Sequence, residues 1–304
     1  MINGVLIVDK PAGLTSHDVV NRVRRLASTR RVGHTGTLDP MATGVLGLLL
    51  GPATRLSQYA TEGRKRYRGV LRLGETTDTY DADGVVTDKQ PVNVDMRTIE
   101  SVLPRFQGAI LQVPPMYSAI RVEGRHLYER ARQGEEVERA PRPVTIDSIT
   151  ILDWTPPDLA LDVVCSSGTY IRSLAHDIGQ ALGCGGHLRV LRRTASGPFT
   201  LEQSRTLESL EQLQVAGRFS EALLPAATAL GSMPAMLVSA DQERAIRFGQ
   251  TIEVSLSEAS WSEASDLIQA HDARGQLIAV LRHLGNDVYQ PVVVLAPTST
   301  EGRA

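Results

Sequence analysis

The chain has 304 residues, 42% of them apolar and 22% charged, with a formal net charge of −2. That length holds one large domain plus a small one, and no stretch reaches the roughly 18 apolar residues a membrane span needs. The near-zero charge argues against indiscriminate adhesion to nucleic acid. Cys165 and Cys184 are too few for a disulfide framework and too far apart for a paired-cysteine metal site. The N-terminus opens without a basic run, so no signal peptide is expected, and a reduced cytoplasmic setting is the default.

The charge is unevenly spread. Residues 236–304 hold 9 acids and 5 bases, a balance of −4, and the rest of the chain carries +2. Basic clusters fall at Arg22-Arg24-Arg25, Arg30-Arg31, Arg64-Lys65-Arg66-Arg68 and Arg189-Arg192-Arg193. Such patches can attract phosphate locally even when the total charge is small.

In chain order, Val5 to Val8 reads as a buried strand ended by Asp9-Lys10-Pro11. Thr15 or Ser16 then caps a helix with Val19, Val20, Val23 and Leu26 on one face. Residues 33–44, with three glycines and Asp39-Pro40, read as an irregular loop feeding the apolar strand Val45 to Leu50. Gly33, Gly36 and Gly44 are free to take positive φ or to let another chain approach the backbone closely, and Pro40 pushes Asp39 out of the helical region and holds its carboxylate on a stiff corner. A short helix is predicted over 53–59 behind Pro52, and a strand over 67–73 with Tyr67, Val70 and Leu73 as its apolar set.

The segment from Asp78 to Gly84 invites a calcium-loop reading. With Gly84 at the sixth position it would need an acid at Thr79 and a glutamate at Gln90, so it reads instead as an acidic turn with Gly84 in a left-handed corner. Asp95 caps a helix to about Phe106, and Tyr117 to Val122 reads as a strand. Residues 123–143 are charged and nearly free of β-branched residues. Val144 to Leu152 and Leu159 to Cys165 are expected to pair as strands. Residues 168–172 open a helix with Ile171, Leu174, Ala175 and Ile178 inward. Arg172 in its first turn is opposed by the helix dipole and calls for an acidic partner, for which Asp39 is the candidate. Leu188 to Arg193 reads as a strand and Thr206 to Val215 as a helix. From about Pro234, short strands at 236–238, 251–254, 266–270 and 277–282, with a helix over 241–248, suggest a small β-barrel. No phosphate-binding glycine loop and no zinc-type His/Glu or Cys pattern occurs, which leaves nucleotide-driven and zinc-dependent chemistry without support.

The run Gly33-His34-Thr35-Gly36-Thr37-Leu38-Asp39-Pro40, continued by Ala42-Thr43-Gly44-Val45-Leu46, resembles the catalytic signature of the TruB family, the bacterial tRNA pseudouridine-55 synthases. The segments 4–11, Lys65-Arg66-Tyr67-Arg68 and Gly168-Thr169-Tyr170-Ile171-Arg172 resemble the family's other motifs in the family's order, so that the likeness spans about residues 2–215. It implies an α+β pseudouridine synthase fold: a mixed, largely antiparallel sheet flanked by helices, plus a small C-terminal β-barrel PUA-like domain. The implied domains are 1–232, with an RNA-clamping thumb insertion at about 123–143, and an RNA-binding 233–304. It makes Asp39 the catalytic residue. Lys10 with Pro11 orders the catalytic loop, His34 fills the space left by the displaced base, and Tyr67 stacks on the uracil. Leu191 packs under that base, and Tyr170 and Arg172 complete the substrate site. The implied activity is isomerisation of a flipped-out uridine in the T-arm stem-loop of tRNA. The enzyme would be a cytoplasmic monomer that needs no cofactor, metal, membrane or protein partner.

Overall fold

The computed structural model describes residues 2–118, 120–122, 124–131, 133–135, 137–254 and 266–295. Glu123, Arg132 and Glu136 of the expected thumb, and residues 255–265 and 296–304 of the expected C-terminal domain, lie outside the described residues.

The first part is built on strands β1 (Gly4–Lys10), β2 (Val32–His34), β3 (Thr43–Leu50), β4 (Lys65–Leu73), β5 (Glu75–Thr77), β6 (Val86–Lys89) and β7 (Gly108–Gln112). Two short strands follow, β8 (Arg121–Val122) and β9 (Arg125–His126), then β10 (Arg142–Thr155), β11 (Asp158–Cys165), β12 (Gly186–Ser196) and β13 (Phe199–Thr200). Its helices are α1 (Ser16–Leu26), α2 (Ser57–Thr61), α3 (Met96–Val102), α4 (Leu127–Ala131), α5 (Ile171–Ala181) and α6 (Leu207–Val215). The main sheet runs β1-β3-β12-β4-β11-β10-β7, with β2 on β3 and β13 on β12. All its pairings are antiparallel except β3–β12, where Thr43 and Gly44 lie beside Arg192 and Arg193. The expected mixed, largely antiparallel sheet is therefore present.

Local chemistry explains most element ends. Thr15 is the cap of α1: its hydroxyl accepts the Asp18 amide at 3.1 Å while its own amide donates to the Asp18 carboxylate at 2.9 Å. Asp95 caps α3 through the Thr98 amide. The helix expected over 53–59 is a tight 3-10 turn, Gly51–Leu56, passing into α2.

Three expectations are corrected. In β4 the inward set is Lys65, Tyr67, Gly69, Leu71 and Leu73, the alternation a strand requires, and Val70 sits on the other face. Within the span 117–122, Tyr117 and Ser118 are bent and, among the described residues, only Arg121–Val122 pairs as strand. Gly84 is not the left-handed residue of the acidic turn. Tyr80 is, at φ +63°, and Gly84 is small because a Cβ there would lie 2.2 Å from the Thr79 hydroxyl.

A second sheet follows, formed by β14 (Ala235–Leu237), β15 (Ile252–Glu253), β16 (Leu267–His271), β17 (Leu277–Gly285) and β18 (Val288–Val294), with α7 (Ala240–Arg247) beside it. Its order, β14-β16-β17-β18-β15, forms a half-barrel among the described residues, consistent with the small PUA-like β-barrel expected. It is not tethered loosely. Val280 and Leu295 join Val5, Ile7, Val45, Leu49, Ala53 and Phe199 in one buried cluster, and Arg55 donates to the Val294 carbonyl at 2.6 Å.

Candidate active site

The loop between β2 and β3 carries Asp39, and buried side chains fix it through its backbone. Lys10, fully buried at the end of β1, donates from Nζ to the carbonyls of Pro11 (2.9 Å), Leu14 (2.6 Å) and Pro40 (3.2 Å). Ser16 Oγ donates to the Leu38 carbonyl and accepts the Leu38 amide. Arg193, 2% exposed on β12, donates to Gly36 O (3.0 Å), Thr37 O (3.3 Å) and Val45 O (2.8 Å). Two glycines of β3 admit this packing. A Cβ at Gly44, whose φ is +101°, would lie 2.2 Å from the Arg193 carbonyl, and one at Gly47 would strike Thr35 Oγ1 and the Phe199 ring. Gly33, by contrast, does not use positive φ.

With the loop held, Asp39 faces Arg172. Arg172 Nη2 donates to Asp39 Oδ1 at 3.0 Å, and Nε lies 3.0 Å from Oδ2 but off the line of its own N–H. The rest of the guanidinium is spoken for. Nη2 also donates to Tyr117 O (2.8 Å), Nη1 donates to Thr79 O (3.3 Å), and Nη1 stands 3.4 Å from the buried Asp81 carboxylate. Arg172 is 4% exposed, whereas the Asp39 side chain keeps about a third of its surface open. Enclosure pushes the Asp39 carboxyl above the ordinary carboxylate range. Arg172 opposes that shift and Asp81 adds to it. Lys10 is pulled down to about 8 by burial, against the upward pull of Asp39.

Tyr67 and Leu191 lie together in the main core, on adjacent strands β4 and β12. Burial raises the Tyr67 hydroxyl pKa, and the positive charge of Arg193 draws it back. Tyr170 precedes α5, its amide donating to Gln112 Oε1 and its carbonyl accepting from Gln112 Nε2. The pKa of its phenol is raised chiefly by burial. His34 ends β2, and its Nδ1 accepts the Gly36 amide at 3.3 Å. Burial and Arg193 lower its pKa, so the ring is neutral at pH 7.

Arg172 and Asp39 therefore meet, and Lys10 reaches the same loop through Pro40. Sequence reading missed Arg193, Asp81 and Ser16. Arg193 looked like one more base on a strand. Its signal was strand parity, which places it beside Tyr67 on the inward face. Asp81 was hidden in a turn read as merely acidic.

A shaped polar centre on one end of a mixed sheet, with a carboxylate and a buried guanidinium, defines the class as an enzyme active site on a pseudouridine synthase fold. The solved Cbf5-Nop10-Gar1 complex contains a chain of this fold, with TM-score 0.75 and 27% identity, covering 97% of this chain and 85% of that one. The family model for TruB family pseudouridylate synthase, N-terminal domain, matches residues 24–171, and that for the tRNA pseudouridylate synthase B C-terminal domain matches 172–231. The tRNA pseudouridine synthase B of Solibacter usitatus is 44% identical over 295 residues, 97% of this chain and all of that protein. The same-named protein of Haemophilus influenzae is 40% identical over 296 residues, 96% of this chain and 93% of its own. The chain belongs to the TruB family of pseudouridylate synthases.

Proposed function

We propose that this chain isomerises a uridine of tRNA to pseudouridine, at position 55 in the T-loop, with Asp39 as the reacting carboxylate. The observation that carries this reading is the Asp39–Arg172 pair, in which a carboxylate about one third open faces a buried guanidinium on a backbone gripped from both sides. The reaction breaks the N1–C1′ bond of uridine, turns the base and joins C5 to C1′. The proton leaves C5 and N1 gains one, so no redox change or energy input enters. Asp39 acts on the sugar as a nucleophile or as the base that deprotonates it, and in either role must be ionised. The uridine leaves its stack at a cost of about a few kcal/mol. Tyr67 and Leu191 receive the base, Tyr170 lines the site, and neutral His34 takes the vacated place in the RNA.

Residues 1–232 form the catalytic domain, 123–143 the thumb that clamps the hairpin, and 233–304 an RNA-contacting PUA-like domain. The protein works as a cytoplasmic monomer. Among the described residues no helix is long and apolar enough to cross a membrane. A second reading comes from the likeness to Cbf5, which is solved with Nop10 and Gar1: a catalytic subunit that needs partners. One experiment separates the two. The purified chain is incubated alone with an unmodified T-arm hairpin, and pseudouridine is quantified. Turnover supports the stand-alone enzyme. Turnover only after adding protein or guide RNA favours the second reading, and none under any condition refutes both.

A further inference from the structure

Tyr80 breaks a local rule. It is a bulky residue in left-handed backbone, at φ +63°, where glycine or asparagine is the ordinary occupant. Both of its neighbours serve Arg172: the Thr79 carbonyl accepts from Nη1, and the Asp81 carboxylate stands 3.4 Å from the same nitrogen. The left-handed turn between them presents both groups to one guanidinium.

The Tyr80 ring has its own contact. It stacks on His176, with ring centroids 4.0 Å apart and planes 15° from parallel. His176 is one helical turn beyond Arg172 on α5, so both project from the same side of that helix. Its Nδ1 is buried without a hydrogen-bond partner, and burial lowers its pKa, so the ring meets Tyr80 uncharged. The segment is also stitched to β12, where Leu188 N donates to Tyr80 O and Ala82 N donates to Leu188 O, each at 3.0 Å. The strand thus sets the height of the turn, and the stack ties the turn to α5 beside the arginine.

We infer that Tyr80 and His176 are positioning residues, whose stack holds the Thr79–Asp81 turn against α5 and so fixes the Arg172 guanidinium opposite Asp39. Neither touches the reacting atoms. This inference rests on the reading of Asp39 and Arg172 as the reaction centre.

The test compares Tyr80→Gly, Tyr80→Phe and His176→Ala with Asp39→Asn, on folded protein and an unmodified T-arm hairpin. Glycine suits the left-handed backbone and removes only the ring. Tyr80→Gly is expected to lower kcat by about tenfold to a hundredfold, the loss typical of a small misplacement, with KM nearly unchanged. The acid limb of its rate profile moves to higher pH. Asp39 faces Arg172, Asp81 and Lys10, and Arg172 is the largest of the influences holding its pKa down. Tyr80→Phe restores both rate and profile, and His176→Ala reproduces the glycine variant. If Tyr80→Gly does not fold, His176→Ala alone decides. Wild-type kcat with an unmoved acid limb in the folded ring-deleted variants overturns the inference. So does a Tyr80→Phe enzyme as slow as the glycine one. Should Asp39→Asn turn over normally, the underlying reading of the centre fails instead.

Discussion

Arg193 and Lys10 hold the Asp39 loop from its two ends: Arg193 through the carbonyls of Gly36 and Thr37, Lys10 through that of Pro40. Two buried cations that donate only to backbone oxygens set the place of the carboxylate without competing for it. Loss of Arg193 takes a donor from the Gly36, Thr37 and Val45 carbonyls at once, whereas the Pro40 carbonyl also accepts the Gly13 amide at 2.8 Å. Arg193→Met, which keeps the bulk and removes the donors, should destabilise the fold by about 3 kcal/mol and slow turnover by at least about tenfold. Urea unfolding and single-turnover kinetics check both, and a fully active, equally stable variant would remove Arg193 from the account.

Asp39→Asn should abolish conversion while tRNA affinity stays nearly the same. The amide is isosteric but is neither nucleophile nor base. Retention of more than about a hundredth of the wild-type rate exceeds what loss of a general base permits and would make the assignment wrong.

Arg172→Lys should be severely impaired. The guanidinium reaches Asp39, Thr79 O, Tyr117 O and Asp81 together, and an ammonium cannot cover four directions from one point. Measured kcat close to wild type would show that charge alone suffices at this position.

The pH dependence follows from Asp39. Its folded pKa is raised, chiefly by enclosure, so the rate should fall on the acid side with a midpoint above the ordinary carboxylate range. The folded state holds that proton more tightly than the unfolded chain does. Ionised Asp39 therefore subtracts from stability above its folded pKa, and the cost is relieved as pH falls through it. Asp39→Asn should be no less stable than wild type at neutral pH, the usual trade of stability for function. A clear drop in its urea midpoint at pH 7 would contradict this.

Much of the centre was legible because it is written in short motifs. Asp39 is marked by the proline after it, and Arg172 by its awkward place in the first turn of α5. What could not be read was parity and burial. The spacing of Tyr67, Val70 and Leu73 looked apolar enough to define β4, yet the strand's alternation put Gly69 and Leu71 inward with Tyr67. Arg193 counted as surface charge because nothing local says that its partners are carbonyls more than 140 residues away. The acidic turn was assigned its left-handed residue by the default preference for glycine, whereas tertiary contacts place that conformation at Tyr80. The edge strand β7, five residues long, is too short to show a period, and the β5–β6 hairpin carries Val86 as its one apolar residue.

The last prediction concerns the C-terminal unit. All the catalytic motifs precede residue 233, so sequence alone suggests that truncation after about Ser232 does less harm to a minimal hairpin substrate than loss of the 123–142 segment. The structure changes that expectation. Val280 and Leu295 cover a cluster containing Val5, Ile7, Val45, Leu49, Ala53 and Phe199, and Arg55 loses an acceptor if Val294 is removed. Truncation exposes the outer side of β1 and β3, the two strands that anchor Lys10 and the Asp39 loop. Each large apolar side chain left bare forfeits roughly 1.5–3 kcal/mol, so the shortened chain should be markedly less stable and slower even on the hairpin. RNA contact by this unit is better probed by leaving the core intact and replacing exposed Arg244 on α7 with glutamine. That variant should bind full-length tRNA more weakly and the T-arm hairpin normally. The acidic balance of the region means that the affinity lost should vary little with salt. Affinity of the Arg244→Gln protein for tRNA equal to that of the wild type at both of two salt concentrations would remove Arg244 from the RNA contacts. A truncated chain as stable and active as the full one would show that the shared cluster is dispensable.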